Sequence, residues 1–262
     1  MAQVLAIANQ KGGVGKTTTS VNLAASLQLT QRRVLLIDLD PQGNATMGSG
    51  VNKATLENSV YELLSHKAQF SQVVVKPESA GYDLLPSNGD LVAAEVELIS
   101  VADRELRLRE IVRPVRNQYD FILIDCPPSL NMLTVNALVA ADGVVIPMQC
   151  EYYALEGLSA LMDTITAIKR GLNPDLRIEG ILRTMYDPRN KLTTEVNGQL
   201  FNYFGDAVYR TVVPRNVRLA EAPSFGKPVI SYDRQSRGAI AYLALAGELL
   251  RRSDIAAANA QI

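Results

Sequence analysis

The sequence contains no tryptophan, a single histidine and only two cysteines. The histidine, His66, lies in the stretch "VYELLSHKAQF", where a surface position is expected. One histidine argues against a histidine-based metal site and against Ser-His-Asp catalysis. Cys126 and Cys150 stand 24 positions apart and form no CxxC pair, so neither a zinc site nor a disulfide framework is indicated. We expect two buried thiols in a reducing cytosol.

Long apolar runs and a strong imbalance of charge are also missing. No run approaches the ~18 residues that are needed to cross a bilayer. The start, "MAQVLAIANQ", lacks the basic residues and the apolar stretch of a signal peptide. We therefore expect a cytoplasmic protein that does not associate with a membrane. The formal net charge of -1 argues against a protein that coats nucleic acid through its overall charge, but it is compatible with a local basic patch.

The sequence does contain a regular alternation of short apolar runs and longer helical patterns. Seven runs are predicted as strands: 3–9, 33–40, 82–87, 119–127, 143–148, 177–185 and 207–214. Helices are predicted at 17–30, 56–66, 88–117 in one or two pieces, 130–140, 152–170, 191–204 and 236–252. Because the strand runs are continuously apolar, both of their faces should be covered, which predicts a doubly wound, mainly parallel α/β sheet. We expect one domain over residues 1–252 and a flexible tail over 253–262.

A glycine-rich loop follows the first predicted strand, with the sequence Gln-Lys-Gly-Gly-Val-Gly-Lys-Thr at residues 10–17. The usual phosphate-loop pattern, G-x-x-x-x-G-K-[ST], has a glycine where this chain has Gln10. The physical requirements are nevertheless met, because glycines allow a tight turn and the amino terminus of the next helix carries partial positive charge. We expect Lys16 to reach the β- and γ-phosphates of a nucleotide and the Thr17 hydroxyl to ligate Mg²⁺. Lys11 is a second lysine that such a loop does not require.

Acidic residues follow two of the predicted strands. Asp125 comes directly after "FILI", which is the Walker B arrangement of a carboxylate held near Mg²⁺ by a rigid strand. Asp38 and Asp40 lie at the end of the strand in "RVLLIDLDPQGN", and one of them could orient the attacking water. For Asp40 the alternative is a turn-forming role before Pro41.

Several segments together resemble the ParA/Soj chromosome-partitioning ATPases, a family of P-loop ATPases with a deviant Walker A motif. These segments are "KGGVGKTT", "DLDPQGNAT", "ILIDCPPS", "TMYDPR" and "PRNVRLAEAPSFGKPV". They extend over nearly the whole chain in the order typical of the family, which makes the resemblance specific. It implies an ATPase that uses ATP and Mg²⁺, dimerises when ATP is bound, and hydrolyses ATP slowly until a centromere-binding ParB partner accelerates it.

The resemblance also implies roles for individual residues. Lys11 matches a lysine that crosses to the phosphates bound by the other subunit of an ATP-sandwiched homodimer. Gly12 matches a position where the residue must be small so that the subunits can approach each other. Asp40 matches the residue needed for hydrolysis. Pro214 and Asn216 match positions that contact adenine. The phosphate contacts match the loop residues Lys11, Gly12, Gly13, Val14, Gly15, Lys16, Thr17 and Thr18.

A basic segment is expected to bind DNA. Residues 177–237 contain ten Lys/Arg and six Asp/Glu, a net charge of +4, which leaves -5 for the rest of the chain. Arg189, Arg215 and Arg218 are predicted in loops after strands, where guanidinium groups can reach phosphates or can simply face solvent. The resemblance implies that Arg189 and Arg218 bind double-stranded DNA non-specifically in the ATP-bound dimer, so that the protein associates with the nucleoid.

Two related classes are alternatives on the same scaffold. A MinD-like membrane-cycling ATPase would end in a basic amphipathic helix, whereas here the last long helix, "GAIAYLALAGELLRR", is followed by "SDIAAANAQI". A nitrogenase iron-protein type would need two cysteine ligands per subunit for a bridging cluster, and nothing places Cys150 beside Cys126. The sequence shows no amino-terminal extension before the first strand, which favours the short, Soj-like form.

Overall fold

The computed structural model describes residues 1–151 and 154–259, and side chains are described for these residues except 154–156 and 256–259. Within this part of the chain, seven strands form one sheet, and each predicted strand is confirmed. The strands are β1 (Gln3–Ile7), β2 (Val34–Asp38), β3 (Asp83–Leu85), β4 (Phe121–Asp125), β5 (Gly143–Gln149), β6 (Arg177–Tyr186) and β7 (Val208–Pro214).

Among the described residues, nine helices lie between these strands and three follow β7. They are α1 (Lys16–Leu29), α2 (Asn44–Gly48), α3 (Val60–Leu64), α4 (Phe70–Val73), α5 (Leu91–Ile99), α6 (Arg107–Val112), α7 (Met132–Ala140), α8 (Ala154–Gly171), α9 (Lys191–Phe204), α10 (Val217–Glu221), α11 (Val229–Tyr232) and α12 (Arg237–Asn259). Short 3-10 turns flank several of them. The helices between consecutive parallel strands provide the crossover connections that such strands need.

All strand pairs in the sheet are parallel, in the order β3-β2-β4-β1-β5-β6-β7. β1 lies at the centre, between β4 and β5, and the loops that follow β1, β2 and β4 leave the sheet at the same edge. In open sheets of this kind the ligand site lies at the carboxyl ends of the strands, where the direction of winding reverses. The predicted doubly wound parallel fold is confirmed.

The core consists of two apolar layers, one on each face of the sheet. Along β1, Val4 and Ala6 belong to one layer, whereas Leu5 and Ile7 belong to the other. The first layer packs against helices that include α5, α7 and α8, and the second against α1 and α12. Side chains of a strand alternate between its faces, and both faces are covered here, so the sequence runs are continuously apolar.

The helices differ from the prediction mainly where they are short. The predicted segment 88–117 is divided into α5 and α6 with 3-10 turns after each, and α2, α4, α10 and α11 were not predicted. Helices of four or five residues are too short to show a helical period, and tertiary contacts stabilise them. The last helix continues to Asn259 rather than 252, and residues 260–262 of the predicted flexible tail lie outside the described residues.

Candidate nucleotide-binding site

The glycine-rich loop connects β1 to α1, and hydrogen bonds to other parts of the chain fix its conformation. Gly13 and Gly15 have φ angles of +72° and +88°, which are strained for residues with a Cβ. The Val14 carbonyl accepts a 2.7 Å hydrogen bond from the Thr184 hydroxyl of β6. At the start of the loop, the Asn9 side chain accepts the Lys11 N–H at 3.0 Å. The loop is therefore preorganised, with its backbone turned toward the carboxyl edge of the sheet.

Lys16 is the buried cation of this loop, with only 7% of its surface exposed. Its ammonium group donates a 3.1 Å hydrogen bond to the Lys11 carbonyl. Burial lowers the pKa of Lys16, while the negative charges of Asp125 and Asp40 act in the opposite direction. A phosphate group would therefore find a positive charge that is little screened by water and already aimed into the loop.

Asp125 and Thr17 lie side by side, as the sequence predicts for a magnesium site. The Thr17 hydroxyl donates to one Asp125 oxygen at 2.8 Å, and the Ser20 hydroxyl, which the sequence analysis missed, donates to the other at 2.7 Å. Hydroxyl and carboxylate oxygens are ligands that Mg²⁺ prefers. In the part of the chain that the structure describes, no three His, Cys, Asp or Glu side chains cluster to hold a metal by themselves. The residues fit a Mg²⁺ ion that takes its remaining ligands from water and from a nucleotide's phosphates.

Asp38 and Asp125 are register partners on β2 and β4, so two fully buried carboxyl groups occupy neighbouring strands. Burial raises the pKa of Asp125, and the adjacent Asp38 raises it further. The pKa of Asp38 is also raised by burial, although hydrogen bonds from Thr46 oppose the shift. This concentration of acidic groups favours the binding of a divalent cation.

Asp38 and Asp40, the two acidic residues at the end of β2, lie in different surroundings. Asp38 is fully buried and accepts hydrogen bonds from the Thr46 N–H and hydroxyl, both at 2.7 Å, and from the Asp40 N–H at 3.2 Å. It thereby anchors the segment after β2 and has no exposed oxygen for a water. Asp40 lines the phosphate cavity, and its carboxylate accepts the Gln42 N–H at 2.9 Å. The contact with Gln42 is the turn-forming role that the sequence analysis gave as the alternative for Asp40, while its position on the cavity lining is compatible with the water-orienting role.

Two adjoining cavities share the loop. One, of about 320 Å³, is lined by loop residues and by Asp40 and Pro128. The other, of about 170 Å³, is largely apolar and contains Pro214 and Asn216 together with Gly15. Since the two cavities meet at Gly15, they have the arrangement needed for phosphates in one and a base in the other. A larger cavity of about 490 Å³ lies beside Arg33 at the opposite edge of the sheet and shares no residue with the loop.

The base-sized cavity also contains residues that the sequence analysis did not assign to it. Arg215, which was predicted on a DNA-binding surface, lines this cavity next to Pro214. Met185 lies between the two cavities and has a φ of +49°, a left-handed conformation that is strained for methionine. No sequence signal reveals that conformation, because it depends on where β6 ends against the loop.

Lys11 forms an ion pair within its own chain. Its ammonium nitrogen lies 2.6 Å from a carboxylate oxygen of Glu151, which follows β5. Both side chains are partly exposed, so the pair is accessible to solvent. Next to it, a Cβ on Gly12 would have only the Cβ of Pro128, 3.9 Å away, within 4 Å. The fold of one subunit therefore does not require a glycine at position 12.

The arginines of the predicted DNA surface follow β6 and β7, and two of them are paired with carboxylates of the same chain. Arg189 is in the loop after β6 and forms hydrogen bonds of 2.9 and 2.7 Å to Asp187. Arg218 lies in α10 rather than in a loop, because the Asn216 side chain caps that helix by accepting the Arg218 N–H. Its guanidinium group pairs with Glu221 at 2.8 Å and with Asp233 at 3.2 Å.

Both cysteines are buried and free, in agreement with the sequence analysis. Burial raises the pKa of the Cys126 thiol and raises that of Cys150 to about 11. Among the described helices, none is both long and apolar enough to cross a bilayer.

The parallel sheet and the glycine-rich loop before α1, with Lys16, Thr17 and Asp125 together, define a P-loop nucleotide-binding protein. The profile of a family described as "AAA domain" matches residues 2–178. The chain is 53% identical to the sporulation initiation inhibitor protein Soj of Bacillus subtilis, over 95% of this chain and 98% of that protein. It is 52% identical to the chromosome partitioning protein ParA of Myxococcus xanthus, over 96% of this chain and 89% of that protein.

A solved structure is also similar over nearly the full length. It is described as cobyrinic acid a,c-diamide synthase from Mycobacterium smegmatis with bound ADP and magnesium, is 38% identical, and gives a TM-score of 0.85. The match covers 97% of this chain and 96% of that one. Because full-length identity is higher to the partitioning proteins, the chain belongs to the ParA/Soj family of chromosome-partitioning ATPases.

Proposed function

We propose that this protein is an ATP-dependent DNA-binding switch that drives chromosome or plasmid segregation. ATP and Mg²⁺ join two copies, the dimer binds double-stranded DNA of the nucleoid non-specifically, and hydrolysis, stimulated by a ParB-type partner, releases it. One observation carries the proposal: Lys16, Thr17 and Asp40 line one phosphate-sized cavity, and Asp125 lies behind Thr17, from whose hydroxyl it accepts a hydrogen bond. A further lysine, Lys11, stands at the mouth of the cavity.

The chemistry assigned to the site needs little more than positioning and neutralisation of charge. The loop N–H groups and Lys16 would hold the β- and γ-phosphates, while Thr17 and Asp125 would hold Mg²⁺, which supplies further neutralisation of the phosphates. Asp40 would orient the attacking water, since it lines the cavity and its main chain is fixed by Asp38. Pro214 and Asn216 would contact the adenine base in the adjoining cavity.

Dimer formation is assigned to Lys11 and Gly12. Lys11 would leave Glu151 and bind the triphosphate of the other subunit, which supplies a cation in the way an arginine finger does. Gly12 supports this proposal because a Cβ at this position would meet little within the subunit. The absence of a side chain is therefore better explained by the close approach of a second subunit. Nucleotide occupancy would then control the pairing of subunits.

DNA binding is assigned to Arg189 and Arg218, with Arg215 as a further candidate. A dimer doubles the number of these arginines, so a nearly neutral chain could still bind a polyanion through a local patch. Binding through phosphate contacts would not depend on sequence and would weaken steeply with salt.

Light scattering of an Asp40→Ala variant, with and without ATP and then with duplex DNA at several salt concentrations, tests the proposal. We expect ATP to double the mass and the dimer to bind DNA, while turnover falls by about 100-fold or more because the water is no longer oriented. Lys16→Ala is the matched control and should not dimerise. Undiminished turnover of Asp40→Ala would contradict the role of Asp40. A monomer with ATP, or ATP-dependent sedimentation with liposomes in place of DNA binding, would favour the MinD-like alternative or another function.

A further inference from the structure

α5 exposes an apolar stripe that is not covered by any other part of the described chain. Its inner face is buried through Leu91 and Leu98. On its outer face Val92, Val96 and Ile99 are 56%, 67% and 64% exposed. They are spaced i, i+4 and i+7, so they form one ridge along roughly 10 Å of the helix. Among the described residues, no other helix exposes three large apolar side chains.

Negative charge surrounds the ridge. Residues 90–105 contain five acidic side chains and one arginine: Asp90, Glu95, Glu97, Asp103, Arg104 and Glu105. Lys67 pairs with Glu97 at 3.5 Å, so the net charge of this group with Lys67 included is -3. Asp90 and Asp103 are exposed at the two ends of the ridge. The Arg104 charge is paired with Glu105 at 3.1 Å. An apolar surface with an acidic rim is complementary to an apolar surface with a basic rim.

We propose that the ridge of Val92, Val96 and Ile99 is the docking surface for the ParB-type partner, which binds it through an amphipathic helix whose apolar face is flanked by Lys and Arg. This inference rests on the proposed function and adds a location to it. A helix in this position would cover the three side chains with residues at its own i, i+3, i+4 and i+7 positions. The acidic rim would set its orientation and speed its association.

Other occupants fit the surface less well. A bilayer with anionic lipids would be repelled by the net negative charge around the ridge, since membrane-surface helices carry Lys and Arg beside their apolar face. A second copy of α5 would bring two acidic rims together.

The ridge is connected to the phosphate cavity through one short chain of contacts. On the inner side of the ridge, the Glu95 carboxylate accepts a hydrogen bond from the Asn131 side chain. Asn131 caps α7 by accepting the Thr134 N–H at 3.1 Å, and the loop before it contains Pro128, which lines the cavity. Burial and the charge of Asp40 raise the pKa of Glu95. A helix bound on the ridge is therefore placed to act on the loop after β4, which gives partner binding a route to hydrolysis.

The test uses the full chain and its purified ParB-type partner, with a triple variant, Val92→Ala, Val96→Ala and Ile99→Ala. Alanine suits an exposed helix, so the fold should be preserved. We expect partner binding in the presence of ATP, measured by calorimetry, to weaken by about tenfold or more, and partner-stimulated hydrolysis to fall with it. Hydrolysis without partner, ATP-dependent dimerisation and DNA binding should not change.

A matched control removes three exposed apolar side chains elsewhere: Leu29→Ala, Tyr203→Ala and Ile240→Ala. It should bind the partner normally. A second variant, Asp90→Asn with Asp103→Asn, should weaken binding most at low salt, because it removes rim charges.

The outcomes separate the docking surface from the proposed function. Full stimulation of the triple alanine variant would overturn the docking surface and leave the ATPase cycle intact. Loss of dimerisation in the triple alanine variant would show that the ridge binds a second copy of this chain. Binding to phosphatidylglycerol vesicles that depends on the ridge would show that it binds a membrane. Either result would overturn the proposal. Absence of partner binding by the unmodified chain would overturn both the partnership and its docking surface, whereas failure to dimerise with ATP or to bind DNA would contradict the proposed function alone.

Discussion

The ammonium nitrogen of Lys11 lies 2.6 Å from a carboxylate oxygen of Glu151 in the same chain. Lys11 stands at the entrance of the phosphate loop, and Glu151 follows the strand beside β1. The lysine proposed to serve a second subunit is thus held by an internal partner. Because an ion must leave one partner to bind another, Glu151 should compete with the phosphates of the second subunit for Lys11.

Glu151→Gln should therefore lower the ATP concentration that is needed for dimerisation. Exposed ion pairs contribute about 0 to 1 kcal/mol, so the midpoint of an ATP titration should fall by up to about fivefold. Light scattering at increasing ATP measures the midpoint. Asp206→Asn, which breaks another exposed pair, with Arg210, is the control. A midpoint that rises in Glu151→Gln would show that the carboxylate assists dimerisation rather than opposing it.

Gly12→Val should separate folding from dimerisation. The Cβ of the added side chain has room within the subunit, so the melting temperature should be preserved while the ATP-dependent dimer is lost. Gly43→Ala makes the contrast, because Gly43 has a φ of +60° and a Cβ there would lie 2.7 Å from the Ser87 carbonyl oxygen. That strain should cost about 1 kcal/mol or more and lower the melting temperature by several degrees. Normal dimerisation of Gly12→Val would exclude a close approach of subunits at this position.

Arg189→Ala combined with Arg218→Ala should weaken DNA binding and flatten its salt dependence. Each phosphate contact contributes about 0.9 to the slope of log K against log salt, so loss of two contacts per subunit should be measurable by fluorescence anisotropy. Arg32→Ala with Arg33→Ala removes the same charge just before β2, at the opposite edge of the sheet, and should leave the slope unchanged.

Removal of the carboxylates that pair with these two arginines should change DNA affinity in the opposite direction. Asp187 and Glu221 hold Arg189 and Arg218 in the free protein, so Asp187→Asn with Glu221→Gln should strengthen DNA binding. If neither pair of substitutions changes the affinity or the salt slope, the DNA-binding surface lies elsewhere on the protein.

The stability of the nucleotide-free protein should decrease as pH rises. The pKa of Asp125 is raised in the folded state, so the folded protein retains a proton that the unfolded chain loses above the ordinary carboxyl pKa of 3.8. The contribution of Asp125 to the free energy of unfolding is thus fully present below pH 3.8 and is lost as the pH rises through the raised pKa of Asp125. Thermal melts between pH 5 and 8 should show this decline, and Asp125→Asn should reduce it, whereas Asp175→Asn at an exposed position should not. An equal decline in Asp125→Asn would assign the effect to other groups.

The seven strands and the phosphate loop could be predicted because their signals are local. Continuous apolar runs identify buried parallel strands, and the loop glycines next to Lys16 and Thr17 stand within a few residues of one another. Asp125 could also be assigned, since a carboxylate that ends a strand of this sheet must reach the same edge as the loop.

Long-range contacts decided the rest. The strand pattern alone could not distinguish the surroundings of Asp38 from those of Asp40, and only the family resemblance favoured Asp40. The bonds of Asp38 to Thr46 depend on how α2 folds back over β2. It could not pair Lys11 with Glu151, which stands 140 positions away. The apolar ridge of α5 was equally invisible, since which side of a helix is buried depends on the sheet against which it packs. Local sequence patterns therefore determined the strands and the phosphate-binding chemistry. Tertiary packing determined the partners of each charged or apolar side chain, because folding brings together residues that no local pattern connects.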